Sequence, residues 1–562
     1  MLIAENAKSG YKIVISERAS PSVRHSAMEL QNILKEISGA LLPIDNDRCK
    51  MTHSEIIIGD NQHLNQLNTH IHWNELGVEG FTIRTVGEVL VIAGDALRGA
   101  MYGVNTFLEN YLGCRWYSSN FRKIPRNSRV EIGEIDDTQV PALEYRETFF
   151  WDALDGDWAA HNKQNGNGFR LDSEHGGKIS YQPFVHTFEA LVPPEKYFHA
   201  HPEFFSEIDG KRVKAGGQLC LTNPEVLEIA TGRVYEWICK NPEANIFSVS
   251  QNDCLNFCQC DRCSEIDGRE GTPMGTVLHF VNSIADRVAK DHSSVAIDTL
   301  AYQYTRRPPK TIKPRKNVII RLCSIECCFS HPIATCDSKY NARFVEDIKA
   351  WSSVHDRIYI WDYVTNFRHY LLPFPNFGVL KSNIQFFINH GVKGIFEEGN
   401  YESPGEFSEL RAWIIGKLLW QQDENVGKLI NEFTSEIFGK SASFIRKYID
   451  LIHNKVQSEN IHVYIYDGPD SPIFDTQFTK STDDLLDSAE SLAENEIVAA
   501  RVRMVRLSVW YALIMRDPAK TRERDHLIEK FIRFARTAQI THVGEGKRTL
   551  DKWITEFSGG KS

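Results

Sequence analysis

Apolar residues follow two periods in the first part of the chain. Short runs at 11–15, 56–59, 80–83 and 89–94 predict strands. Between them Val23, Ala27, Leu30 and Leu34 recur at helical spacing behind Ser20-Pro21, and Gly39 marks the helix end. Met101, Val104, Phe107 and Leu108 mark a second helix beginning near Leu97. Strands joined to two helices by short turns predict a compact α/β accessory domain over 1–138.

From about residue 145 the pattern becomes strand, helix, strand. Eight strand-like runs are found at 145–151, 184–188, 218–222, 246–251, 297–304, 318–325, 358–363 and 394–398. Helical stretches at 223–240, 274–290, 339–351 and 378–390 lie between the later ones. This repetition predicts a (β/α)8 barrel over 139–425. The polar, glycine-rich stretch 152–183 reads as a long loop on its active face. Beyond 405 the pattern is helical, at 406–420, 426–438, 441–456, 483–517 and 519–539, which predicts a helical region over 426–562. The fold class is therefore α/β: a TIM barrel preceded by a small α/β domain and followed by helices.

Composition narrows the function. Of 562 residues, 64 are Lys or Arg and 74 are Asp or Glu, a formal charge of −10, which argues against nucleic-acid binding. No apolar run is long enough for a membrane span. The first residues lack a signal-peptide pattern, which taken literally predicts a cytoplasmic protein. No cofactor motif is found, and oligomeric state is not legible.

Barrel enzymes keep their chemistry at the C-terminal ends of the strands. In this chain those ends carry Asn252-Asp253, Tyr302-Gln303-Tyr304, Glu326, Trp361-Asp362-Tyr363 and Glu397-Glu398-Gly399-Asn400. Two carboxyl groups in different environments are what glycosidic hydrolysis needs, one to protonate the leaving oxygen and one to answer positive charge at the anomeric carbon. Where the sugar carries a 2-acetamido group, its own carbonyl can attack and the second carboxylate orients it. The candidate catalytic residues are Asp253 with Glu398 or Glu397. Neighbouring strand residues face opposite ways, and Glu398, beside Gly399, is favoured. Asn252, His186, Trp151, Tyr302, Tyr304, Glu326, Trp361, Asp362, Tyr363 and Asn400 are candidate sugar-binding residues. Each also has an ordinary reading as a packing, capping or ion-pairing residue. A uronic-acid substrate would need a cation, for which Arg321 and Arg368 are available.

Twelve cysteines are present. Cys49, Cys114, Cys220, Cys239 and Cys323 read as buried thiols. Cys254, Cys258, Cys260 and Cys263 fall within ten residues. Three readings stay open for them: a structural Zn²⁺ site, disulfides in an exported protein, or reduced thiols.

Several segments together resemble a known family. Arg98-Gly99-Ala100-Met101-Tyr102-Gly103 with Gly113-Cys114-Arg115-Trp116 resembles the accessory domain before family 20 and family 67 glycosidase barrels. Ser250-Gln251-Asn252-Asp253, Cys258-Gln259-Cys260-Asp261-Arg262-Cys263, Trp361-Asp362-Tyr363-Val364-Thr365-Asn366 and Gly394-Ile395-Phe396-Glu397-Glu398-Gly399 resemble the domain-of-unknown-function 4838 proteins, which include glycoside hydrolase family 163. The resemblance spans roughly residues 10 to 425. It implies a retaining, substrate-assisted endo-β-N-acetylglucosaminidase acting on N-glycan oligosaccharides. It also implies export to the periplasm or beyond, against the literal reading of the N-terminus.

Overall fold

A computed structural model describes residues 1–516 and 521–557. The chain divides into two compact units, Met1–Lys178 with Phe407–Gln421, and Ile179–Glu406 with Gln422–Ser562.

The first unit is built on a six-stranded mixed sheet. Its strands are β1 (Lys12–Ile15), β2 (Ile44–Asn46), β3 (Glu55–Ile58), β4 (Phe81–Val86), β5 (Val89–Gly94) and β6 (Asp136–Gln139). They lie in the order β6-β4-β5-β3-β1-β2. Every position of β3 and β5 is buried, including Glu55, whose carboxylate pairs with His63. The helix Pro21–Ser38 starts where the sequence places it: the Ser20 hydroxyl accepts from the amide of Val23, and proline fills the first turn. Gly39, at φ +80°, ends it in the left-handed conformation that glycine adopts without a Cβ clash. The second helix runs from Gly99 to Thr106 and loosens into one π turn over Phe107–Tyr111. Strand β7 (Tyr145–Phe149) also belongs to this unit.

A buried ion network holds this unit's interior. Glu79 Oε1 accepts from Arg98 at 2.7 Å and from Asn165 Nδ2 at 2.8 Å, and Oε2 meets Arg146 at 2.8 Å. Burial alone would raise the Glu79 pKa, but the two guanidinium groups hold it below the ordinary value.

The second unit carries a parallel half-barrel of five strands: β8 (Ile246–Ser248), β9 (Ala296–Ala301), β10 (Val318–Cys323), β11 (Ile358–Tyr363) and β12 (Gly394–Glu398). They pair in sequence order, each parallel to the next. All their residues are buried, the mark of a parallel sheet covered on both faces. Helices Pro224–Lys240, Met274–Asp291, Lys339–Ser352 and Phe377–Asn389 match the helical periodicity closely. Only a loop and one 3₁₀ turn, Gln303–Thr305, join β9 to β10.

Two of the eight expected strands do not form as ladders. Segment 184–188 follows Tyr181, which bridges in parallel to Ile246. The stretch bonds β8 and the residues after it through Pro183, whose carbonyl accepts from Ser248 N, and through His186 N, which donates to the Ser250 hydroxyl. Proline offers no amide and His186 sits at φ +54°, so a regular ladder cannot continue there. Segment 218–222 pairs back on its own excursion, with Ser206 N donating to the Gln218 carbonyl and Cys220 N to that of Phe204.

The helices after the barrel strands are Val426–Phe438, Ala442–Ser458, Thr476–Ser491, Glu496–Arg516, Arg522–Thr537 and Leu550–Phe557. The single helix expected over 483–517 is two. Asn495 breaks it, its side-chain oxygen capping the amide of Val498. The expected ends at Asp517 and Ala519 lie outside the described residues. No helix among the described residues is long and apolar enough to cross a membrane.

Removing Glu79 strands two buried guanidinium groups beside each other. Glu79→Ala is expected to cost about 3–5 kcal/mol, read as a lowered urea midpoint.

Candidate functional site

The second unit has a pocket at the C-terminal ends of its parallel strands. It encloses about 710 Å³, counting the space at its open mouth. Strand ends and the turns after them contribute Leu300, Tyr302, Cys323, Ile325, Trp361, Tyr363 and Glu398. His186, Asp253 and Phe367 come from loops, and Tyr466 and Glu545 come from the helical region.

Alternation along β11 and β12 sorts the acidic residues. In register Tyr363 lies opposite Glu398, and Asp362 opposite Glu397. Trp361, Tyr363 and Glu398 face the pocket. Trp361 Nε1–H donates to Glu398 Oε2 at 2.7 Å. Burial pushes the Glu398 carboxyl up to about 8; the Trp361 bond opposes this and the nearby Glu545 adds to it. Asp253 differs. It is exposed on the rim and accepts from the Tyr302 hydroxyl at 3.1 Å. It also lines an adjoining groove of about 730 Å³, walled by Glu189, Glu195, Gly216, Gln218 and Asn252 among others, so pocket and groove meet at Asp253.

The rim is held in unusual backbone. His186 at φ +54° and Gln303 at φ +51° are non-glycine residues in the left-handed region, a cost typically retained where a site needs it. His186 Nδ1 donates to the Gln251 carbonyl at 2.7 Å, which leaves Nε2 as an acceptor. Gln303 Nε2 donates to the Tyr302 hydroxyl at 3.0 Å, completing a chain from Gln303 through Tyr302 to Asp253. Glu545 is fixed by its amide, which donates to the Phe367 carbonyl at 2.8 Å, and by the Tyr401 hydroxyl at 3.1 Å.

Of the candidates from the sequence, Asp253, Glu398, His186, Tyr302, Trp361 and Tyr363 share this pocket. The others are placed elsewhere. Asn252 bonds Glu189 N and the Gly217 carbonyl, which fixes the groove wall. Tyr304 stacks on Phe257 at 5.1 Å and packs beside Cys258 and Cys263. Glu326 pairs with Arg306 at 2.6 Å. Asn400 closes its own turn on the Ser403 carbonyl. Trp151 belongs to the first unit, in a short 3₁₀ turn, largely exposed. Asp362 and Glu397 occupy the opposite strand face, Asp362 accepting from Ser324 Oγ and Glu397 Oε2 lacking a partner. Tyr466 and Glu545 were missed, because a search of strand ends does not reach residues that fold back from the far end of the chain.

Arg321 is spent on structure. Its guanidinium meets Asp298 at 2.6 and 3.0 Å, donates to the Phe184 carbonyl at 2.7 Å, and lies over the rings of Tyr181, Phe184 and Trp361.

All twelve cysteines are free thiols. Four sulfurs gather within 4.8 Å of one another, those of Cys220, Cys258, Cys260 and Cys263. Cys220 replaces the expected Cys254, whose sulfur instead meets Gln218 Nε2 at 3.3 Å. The 218–222 excursion brings Cys220 in, with its sulfur 3.6 Å from that of Cys260. A tetrahedral thiolate site with bonds of ~2.3 Å has sulfur–sulfur edges of roughly 3.8 Å, so the set suits Zn²⁺. Cys239 is exposed and Cys49 half-buried, against the buried-thiol expectation.

The Asp362–Glu397 pair makes stability depend on pH. Burial raises both groups, Asp362 to about 6, and Asp362 adds to the rise at Glu397. Carboxyls raised in the folded state contribute stability that is present at low pH and lost as pH rises through their folded values. Urea midpoints should therefore fall between pH 5 and pH 8, and Glu397→Gln should reduce that fall.

Comparison with known proteins agrees with this architecture. Residues 4–107 match the glycosyl hydrolase family 67 N-terminus. Two curated relatives, each described as probable alpha-glucuronidase A, from Aspergillus oryzae and Aspergillus flavus, are 28% identical over 97 residues. That match covers 17% of this chain and only 12% of each relative. A solved structure of a family GH115 4-O-methyl-α-glucuronidase with specificity for decorated arabinogalactans superposes with a TM-score of 0.59. The superposition covers 99% of this chain and 79% of that one at 12% identity, a likeness of fold. Residues 116–450, more than half of the sequence, match the family described as domain of unknown function DUF4838, and the chain belongs to that family.

Proposed function

We propose that this protein is a glycoside hydrolase whose reaction centre is the pocket between Asp253 and Glu398. The observation that carries the reading is the contrast between the two carboxyls. Glu398 is buried and raised to about 8, so it holds a proton near neutral pH, as a general acid must. Asp253 is open to solvent and steadied by Tyr302. Glu398 protonates the departing glycosidic oxygen, and Asp253 answers the positive charge that develops at the sugar. The aromatic rings of Trp361, Tyr363 and Tyr466 offer apolar faces to a pyranose.

A neutral sugar, first a β-linked N-acetylglucosamine, fits this lining best. Among the described residues three carboxyl groups and no Arg or Lys line the pocket. With such a sugar the acetamido oxygen bonds to the anomeric carbon as the leaving oxygen takes the Glu398 proton. Asp253 orients the acetamido N–H. Water then attacks the anomeric carbon, the bond from that carbon to the acetamido oxygen breaks, and the water's proton goes to Glu398. The groove that shares Asp253 offers room for further sugars, which supports action within an oligosaccharide such as an N-glycan. The working division is an accessory domain at 1–138, the catalytic barrel at 139–425 and a helical region at 426–562. A glucuronoside is the second reading, favoured by the 97-residue likeness to the curated glucuronidases and by the match of residues 4–107 to the glycosyl hydrolase family 67 N-terminus. Hydrolysis of 4-nitrophenyl glucuronosides, with none of N-acetyl-β-glucosaminides or complex N-glycans, would decide for it. Binding of glycans without turnover of any would defeat the enzymatic reading.

Glu398→Gln and Asp253→Asn are each expected to lower kcat/KM by ~10²-fold or more. Activity should fall as pH rises through about 8, where Glu398 loses its proton. Trp361→Phe removes a donor that favours the ionised carboxyl, so this alkaline limb should move to higher pH.

We also propose that Cys220, Cys258, Cys260 and Cys263 hold a structural Zn²⁺. Cys220→Ser should lower the zinc content of the purified protein, and Cys254→Ser should leave it unchanged.

A further inference from the structure

A second cluster lies apart from the four-cysteine group. Cys328, His331, Cys336 and His462 each bring one ligand atom to within 4.8 Å of the others. Three come from the loop that follows β10, with two residues between Cys328 and His331 and four between His331 and Cys336. The fourth comes more than a hundred residues later, from the segment after the helix Ala442–Ser458.

The spacing of the atoms has a specific meaning. Cys328 Sγ lies 3.4 Å from His331 Nδ1, and Cys336 Sγ lies 3.6 Å from His462 Nδ1. Around a tetrahedral Zn²⁺ with bonds of ~2.3 Å to sulfur and ~2.0–2.1 Å to nitrogen, a sulfur–nitrogen edge is about 3.5 Å. Two independent sulfur–nitrogen pairs thus stand at the coordination edge.

The surroundings point the same way. His462 Nε2 meets Asp337 Oδ1 at 3.1 Å, which turns Nδ1 toward the cluster as an unprotonated ligand. A carboxylate behind a histidine is the usual support of a zinc-bound imidazole. His331 is 9% exposed, so its ring is largely shielded from solvent beside Cys328. Ser338 N–H points at Cys336 Sγ at 3.5 Å, suited to a thiolate.

We propose that these four residues form a Cys₂His₂ site for a tetrahedral divalent metal, Zn²⁺ by ligand type. The site clamps two stretches of backbone already joined by hydrogen bonds: Phe329 N to the Val463 carbonyl at 2.9 Å, and Ser330 Oγ to that of Ile461 at 2.8 Å. Both stretches lead into the pocket. Cys323 and Ile325 precede Cys328, and Tyr466 follows His462. The metal is a clamp on the pocket wall with no part in the reaction, so the proposal stands apart from the choice of substrate.

The test counts zinc in the whole purified chain after dialysis against a weak chelator. Two zinc ions per chain are expected for the parent protein. His462→Gln and Cys336→Ser should each remove one, and Cys220→Ser should remove the other. Cobalt reconstitution of Cys220→Ser should give the visible absorption of tetrahedral Co²⁺ with the charge-transfer intensity of two thiolates rather than four. Should the variants fail to fold, maleimide labelling of the parent decides: Cys328 and Cys336 protected until a strong chelator is added supports the site. Equal zinc in parent and His462→Gln chains overturns the proposal. So does labelling of Cys328 and Cys336 that the chelator does not change, or a disulfide joining them.

Discussion

The ion pair between Asp298 and Arg321 organises the second unit's interior. Both side chains are essentially inaccessible, and the carboxylate is met by two guanidinium nitrogens and by the Ser248 hydroxyl, which carries the polar layer across β8, β9 and β10. Such a pair is tolerated only when every lone pair and proton is answered. Arg321 also donates to the Phe184 carbonyl, which ties the irregular 181–188 segment to β10. Its flat face lies against Trp361, and Trp361 in turn holds Glu398. One buried cation thus shapes the loop that presents His186 and the platform beneath the acidic group.

That arrangement also keeps Arg321 out of the pocket lining. A guanidinium engaged by a carboxylate, a carbonyl and three rings has little left to offer a ligand. What the pocket presents is hydroxyl, aromatic and carboxyl groups.

Much of the scaffold was legible because the physics there is local. Pro21 after Ser20, Asn223 before Pro224 and the strand-like runs of β10 and β12 declare themselves within a few residues. Segments 184–188 and 218–222 carry strand-like composition, yet their hydrogen bonds are set by distant partners such as Ser250 and Phe204. The position of Glu398 in the pocket followed from strand alternation once register with Tyr363 was known, and register is a property of two segments. Tyr304, Glu326 and Asn400 show the limit of reading strand ends: each found a near neighbour before it could reach the pocket. Cys220 and His462 were illegible for the same reason as Glu545, since only the closed fold brings them beside their partners.

Tyr466 and Glu545 have a consequence for how such a pocket diversifies. A barrel whose pocket is walled only by its own loops can change specificity by altering those loops. Here part of the wall belongs to an appended bundle of helices, so exchanging or trimming the tail redraws the floor plan of the cavity while leaving the strand-borne groups in place.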